Sequence, residues 1–390
     1  MIPYGRQNIS EEDIEAVVSV LRSDFLTQGP VIFAFEEAVT KYCGALKGVA
    51  VNSATSALHI ACLALDVGPG DIVWTSPITF VASANCALYC GASIDFVDID
   101  PLTYNMSVDA LAEKLESAAR DGRLPKVLIP VHLAGQPCEM ATIKELGERY
   151  GFKIIEDASH AIGSRYRGEP VGNCRYSDIT VFSFHPVKII TTGEGGMAVT
   201  NDLKLANRLA RLRSHGITRA PQEMTQSPDG PWYYQQIDLG FNYRMTDIQS
   251  ALGLSQISRL DEFLSRRRTI AKKYDDQLSD MWLKTPWQHA DTCSSWHLYI
   301  VRINREEIRF SQKDIFERLR SFGILVNLHY IPLYRHPYFA AMGFDRQKFP
   351  ESEAYYSEAI SLPIYPGLEE NQQLEVVERI KFPIGYQNIF

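Results

Sequence analysis

The sequence has no basic run longer than three residues, and its 390 residues carry a formal net charge of -8 at pH 7. That leaves no clustered cation to track a nucleic-acid backbone. It contains no apolar stretch near the roughly 20 residues that span a bilayer. Its start, MIPYGRQNISEED, has neither the basic residues nor the apolar core of a signal peptide. The expectation is a cytoplasmic protein with no nucleic-acid and no membrane partner. Disulfide patterning is also missing: Cys43, Cys62, Cys86, Cys90, Cys138, Cys174 and Cys293 are odd in number and scattered, as reduced thiols are. Cys86 and Cys90 lie four apart with no second pair to complete a tetrahedral zinc site, and there is no HExxH. No metal is expected, which sets aside a hydrolase built on His160, His185 and His215.

Apolar residues make up 45% and charged residues 22%, with 19 Tyr and 18 Phe, the composition of a globular protein with a sizeable core. The length implies a large domain and a smaller one. Net negative charge does not exclude a phosphorylated small molecule, because helix N-termini bind phosphate without net positive charge.

Ser10 followed by Glu11, Glu12 and Asp13 marks a first helix, with Ile14, Val17, Val18 and Leu21 on one face. The loop 24–30 follows. Short apolar runs then alternate with helical patterns: strands are expected at 49–52, 71–75, 94–97, 126–132, 153–157, 178–184 and 196–200, with a helix over 55–65. Continuous apolar runs of this kind suit strands covered on both faces, and the alternation argues for a mostly parallel α/β sheet flanked by helices. After about residue 255 the pattern changes to a basic helical segment around 265–274, a strand near 296–302 and a Pro-rich section. The expected organisation is a large α/β domain over 1–255 and a small C-terminal α+β domain over 256–390.

The informative stretch runs from 152 to 201. Asp157 closes one apolar strand, Ser183 closes the next, and Lys188 lies in the turn after it. Ligands of open α/β sheets bind at the carboxyl ends of strands, so these three converge there. Pyridoxal phosphate (PLP) chemistry needs such a set: a lysine to form an imine and move a proton, and a carboxylate to keep the pyridine nitrogen protonated. Asn52-Ser-Ala-Thr-Ser-Ala57 follows a strand and opens a helix, so the amides of Ala54, Thr55 and Ser56 suit a phosphate. Singly, each feature has a plain structural reading as a solvated turn lysine, a helix-capping aspartate or an ordinary N-cap. Their combination favours the site.

The chain resembles the DegT/DnrJ/EryC1/StrS sugar aminotransferases, of PLP fold type I. The matching pieces are Leu26-Thr-Gln-Gly-Pro30, Asn52-Ser-Ala-Thr-Ser-Ala-Leu58, Thr79-Phe-Val-Ala82, Glu156-Asp-Ala-Ser-His160, Phe182-Ser-Phe-His-Pro-Val-Lys188, Thr192-Gly-Glu-Gly-Gly196, Arg213-Ser-His-Gly216 and Gly240-Phe-Asn-Tyr-Arg-Met245. They cover nearly the whole chain in order. The resemblance implies roles. Lys188 is the Schiff-base lysine and Asp157 the partner of the pyridine nitrogen. Phe80 stacks on the ring, and His160 stands where the family often has Gln, near the ring hydroxyl. Ser183, Thr55 and Ser56 take the phosphate, beside the amide of Ala54. Asn242 reaches the phosphate site of a neighbouring subunit, which implies a homodimer with a shared site; Asn242 and Arg244 also fit a simple turn.

Within the family, Asn327-Leu-His-Tyr330 and the segments around Asp157 and Lys188 look most like the branch that aminates C4 of a UDP-linked 4-keto-6-deoxy-N-acetylhexosamine, a pseudaminic acid precursor. The resemblance places the sugar nucleotide against Tyr4, Asp24, Phe25, Leu26, Thr27, Ala54, Ser183, Asn242, Asn327, Leu328, His329 and Tyr330. Without it, Tyr4 reads as a frayed terminus and His329 as a packed interface histidine. Glutamate is the implied donor, with pyridoxamine phosphate as the aminated form of the cofactor. Related readings are amination at C3 or C4 of a dTDP- or GDP-linked sugar, or sugar dehydration. Dehydratases of this family carry His where Lys188 stands. A cofactor-free binding module would lack Lys188 or Asp157.

Overall fold

The computed structural model describes residues 1–279 and 281–381. Seven strands form the central sheet: β1 (Lys47–Val51), β2 (Ile72–Thr75), β3 (Ser93–Phe96), β4 (Val127–Ile129), β5 (Lys153–Asp157), β6 (Ile179–Ser183) and β7 (Gly196–Thr200). Their spatial order is β1-β7-β6-β5-β4-β2-β3. The pairs β2–β3, β2–β4, β4–β5 and β5–β6 are parallel, and β7 runs antiparallel to both β1 and β6. The sheet is thus mostly parallel, as expected. Its strands are buried on both faces: β4, β6 and β7 have no exposed residue.

Most boundaries differ from the sequence reading by one or two residues, and two differ by three. The strand expected over 126–132 spans only Val127–Ile129, because Pro130 has no N–H to extend the ladder. The strand expected from Trp296 begins at Tyr299, because Trp296 takes a left-handed backbone with φ of 53°.

The helices that bear on the site are α1 (Glu11–Leu21), α2 (Pro30–Cys43), α3 (Ala54–Ala64), α4 (Ala82–Tyr89), α5 (Asp247–Ile257) and α6 (Leu260–Leu278). Ser10 caps α1 in a capping box with Asp13. The start of α2 is held from a distance: the buried Asp247 carboxylate accepts from Gly29 N at 2.8 Å and Val31 N at 2.9 Å. An anion there satisfies orphan amides and meets the positive helix end.

The proposed division at residue 255 falls just before the joint between α5 and α6. Helix α6 spans two apolar clusters. Leu260, Phe263 and Leu264 pack with α2 and the sheet, whereas Ile270, Tyr274 and Leu278 pack with the three-stranded sheet of Leu283–Lys284, Tyr299–Ile303 and Ala359–Leu362. The first residues of the chain join that second cluster. Ile2–Pro3 pairs in parallel with Ile324–Leu325, and Tyr4 O accepts from Ile364 N at 3.0 Å.

Candidate active site

Four chain segments meet at one end of the sheet. Parallel strands β5 and β6 end there at Asp157 and Ser183, and antiparallel β7 begins there at Gly196, opposite both Ser183 and Val51. Val51 leads directly into α3. Gly196 permits the approach, since a Cβ at this position would lie 2.5 Å from Ala54 N. Only a residue without a side chain lets β7 and the start of α3 come this close.

These segments enclose a cavity of about 580 Å³. Of the residues expected at the site, Tyr4, Ala54, Thr55, Phe80, Asp157, His160, Ser183, Lys188, Asn327, Leu328, His329 and Tyr330 line it. Ser56 does not. Its hydroxyl donates to Asn52 Oδ1 at 2.7 Å and its amide to Ser53 Oγ at 3.1 Å, so both groups are spent capping α3. Asp24 to Thr27 form an exposed loop outside this cavity, anchored by a bridge from Thr27 to Thr246. Asn242 also stands outside it, bridged to Ser214, and Arg244 donates to Ser214 Oγ at 3.0 Å. Within one chain, then, the segments around Thr27 and Thr246 lie side by side, and neither residues 24–27 nor Asn242 lines the cavity that holds Lys188.

Lys188 sits in a tight turn closed by its own N–H to His185 O at 2.9 Å. Burial pushes its ammonium down to about 8, against the pull of the Asp157 carboxylate. The nearby histidines do not compete for charge. Burial, then the Lys188 charge, pushes His329 down to about 3, and both also hold His160 and His297 well below the ordinary imidazole range. Each is a neutral ring at neutral pH. His160 has a defined tautomer: Nδ1 accepts from Ala134 N at 3.3 Å, so Nε2 carries the proton, 3.2 Å from Tyr330 Oη.

Asp157 points into the cavity while its neighbour Glu156, by strand alternation, faces away. Glu156 is engaged by His132 at 2.8 Å and by Ser177 and Thr180. Asp157 Oδ1 accepts from Ser159 N at 3.1 Å and Ser159 Oγ at 2.6 Å, and Oδ2 accepts from Ser83 Oγ at 2.7 Å.

The Tyr4 end of the cavity depends on the chain start being tied to the C-terminal part. Tyr4 is not frayed; its ring lies 5.0 Å from that of His329. His329 Nδ1 in turn meets Ser361 Oγ at 2.9 Å. Sequence reasoning missed Ser83, Ser159 and His297. The Asp-x-Ser spacing gives Ser159 away as a carboxylate partner. Ser83 carries no local signal beyond its place in the first turn of α4, and His297 arrives from a distant segment.

The residues present fit PLP. An amine and a carboxylate face the same enclosed space, and the Asp157 carboxylate has three of its roughly four acceptor positions filled, leaving one on Oδ2. At the other end Ser53 caps only the Ser56 amide. The amides of Ala54 and Thr55 therefore stay without an intrahelical partner, next to the hydroxyls of Thr55 and Ser183.

Comparison with known proteins agrees. The sequence profile described as the DegT/DnrJ/EryC1/StrS aminotransferase family matches residues 7–381. A Campylobacter jejuni protein, "UDP-4-amino-4,6-dideoxy-N-acetyl-beta-L-altrosamine transaminase", is 36% identical over 366 residues, 94% of this chain and 93% of that one. Among solved structures, Helicobacter pylori PseC, described as an aminotransferase of pseudoaminic acid biosynthesis, superposes with a TM-score of 0.89 at 30% identity, over 97% of this chain and 98% of that chain. The PLP-form of a putative sugar aminotransferase, Spr1654 from Streptococcus pneumoniae, does so with a TM-score of 0.86 at 30% identity, over 97% of each chain.

Proposed function

The chain belongs to the DegT/DnrJ/EryC1/StrS aminotransferase family, and from that premise we propose that it moves an amino group from glutamate to C4 of a UDP-linked 4-keto-6-deoxy-N-acetylhexosamine, a pseudaminic acid precursor. It is a sugar aminotransferase, and its cofactor is PLP. One observation carries the residue assignment: Lys188 and Asp157 face one cavity that ends at the amides of α3.

When bound, PLP supplies an aldehyde carbon that carries the amino group and a ring that takes up the electrons of a broken C–H bond. This chain's residues do the rest. Lys188 would hold the cofactor aldehyde through Nζ and, as a free amine, would take a proton from the donor's α-carbon and deliver it to the cofactor carbon on the far side of the nitrogen, two atoms away. Its lowered proton affinity suits it to both moves near neutral pH. Asp157 would take the hydrogen bond of the protonated ring nitrogen at the acceptor position its serine partners leave open. The amides of Ala54 and Thr55, with the Thr55 and Ser183 hydroxyls, would hold the phosphate, and Phe80 would cover a ring face.

His160 fixes Tyr330, and Tyr4, Asn327, Leu328 and His329 line the mouth where the sugar nucleotide enters. Residues 24–27 and Asn242 complete the site of a second copy in a homodimer. Incubation with glutamate and a panel of UDP- and dTDP-linked 4-keto sugars, with the products identified by mass and NMR, tests this reading. It expects a C4 amine on the UDP-N-acetyl sugar; turnover of dTDP sugars alone would refute the UDP assignment.

A further inference from the structure

The Asp157 carboxylate is held by hydroxyls that the reaction as described does not use. Ser83 Oγ lies 2.7 Å from Asp157 Oδ2 and 2.7 Å from Thr79 Oγ1. A carboxylate only accepts, so the Ser83 proton is committed to Asp157. The Thr79–Ser83 bond then has one possible direction, with Thr79 donating. The result is an ordered chain, Thr79 to Ser83 to Asp157. All three are buried, at 2%, 0% and 4% exposure. Ser83 lies in the first turn of α4 and Thr79 in the bend that leads into it, so the entry of the chain into the helix brings the two hydroxyls together. On the opposite oxygen, Ser159 donates twice.

We propose that Thr79, Ser83 and Ser159 are positioning residues that lock Asp157 in one orientation, with its last open Oδ2 position aimed at the cofactor ring nitrogen. This rests on the reading of Asp157 as the partner of that nitrogen. Three donors fix the plane of the carboxylate and leave a single direction in which it can accept. Charge-assisted hydrogen bonds of this kind are short and strongly directional. Removal of the Ser83 hydroxyl frees Oδ2, strands the Thr79 donor and lets the carboxylate turn away from the nitrogen.

The test compares binding of two cofactors to the full-length apoprotein: PLP, and 1-deazapyridoxal phosphate, in which carbon replaces the ring nitrogen. Dissociation constants are measured by absorbance titration for the unaltered chain, Ser83→Ala, Ser83→Thr, Ser159→Ala and Asp157→Asn. Ser83→Ala and Ser159→Ala are expected to weaken PLP about tenfold, the scale of one charge-assisted hydrogen bond, and to leave the deaza analogue unchanged. Ser83→Thr keeps the hydroxyl and is expected to restore PLP binding.

Equal weakening of both cofactors by Ser83→Ala and Ser159→Ala would show general damage and overturn the proposal, as would unchanged PLP binding in both. Asp157→Asn separates the two layers. If it discriminates between the cofactors and the serine variants do not, the positioning role alone fails. If Asp157→Asn does not discriminate, the assignment of Asp157 itself fails.

Discussion

At the scale of the residue, the chemistry turns on how readily Lys188 gives up its proton. Burial lowers its ammonium to about 8, although Asp157 opposes the shift. An amine attacks an aldehyde only when unprotonated. The rate at which the apoprotein takes up PLP is therefore expected to rise with pH through about 8 and level off above it. Stopped-flow absorbance measures this directly. A rate that keeps climbing toward the ordinary lysine value near 10.4 would contradict the burial. Lys188 and Asp157 were legible in the sequence, because each closes or follows a strand and strand ends share an edge. The engagement of Ser56 by Asn52 and Ser53 was not legible, since sequence shows that a helix starts but not which hydroxyl its first turn occupies. His297 was not legible, because a residue from a remote segment reaches the cavity through tertiary packing alone.

At the scale of the element, the phosphate end of the site depends on α3 packing against β7. A Cβ on Gly196 would meet Ala54 N at 2.5 Å and Ala54 Cα at 2.6 Å, both backbone atoms that cannot swing aside. Gly196→Ala is expected to displace the start of α3 and weaken PLP binding tenfold or more, a loss on the order of 1.4 kcal/mol. Equilibrium dialysis reads the loss, and unchanged affinity would refute the packing argument. The seven sheet strands were all visible as apolar runs, because both faces are covered. Their ends were less so. Pro130 cuts β4 by removing a donor, and the left-handed Trp296 delays the strand that begins at Tyr299. The antiparallel direction of β7 was also hidden, since a strand's residues do not record its direction.

At the scale of the whole molecule, the N-terminus and the C-terminal part share one cluster, so Tyr4 reaches the cavity from the far end of the sequence. The segments 24–27 and 242–246 are tied together by the Thr27–Thr246 bridge, yet residues 24–27 and Asn242 lie outside the cavity of their own chain. A shared site makes a specific prediction for mixed subunits. Lys188→Ala and Asn242→Ala chains are each expected to be nearly inactive. Unfolded and refolded together, they are expected to regain about a quarter of the original activity, because half of the random pairs are hybrids and each hybrid has one intact site of two. Mixtures no more active than the separate variants would refute sharing. The expectation of a shared site comes only from resemblance, because no composition or periodicity in one chain specifies its neighbour.

The central claim, that Lys188 is the amine that holds the cofactor, is tested most directly by trapping the bond. Borohydride reduction of the PLP-loaded protein converts the lysine–cofactor C=N bond to a stable amine, which proteolysis and mass spectrometry can locate. The expected result is a phosphopyridoxyl group on the peptide carrying Lys188 and on no other. A modified peptide elsewhere, with Lys188 untouched, would contradict the account.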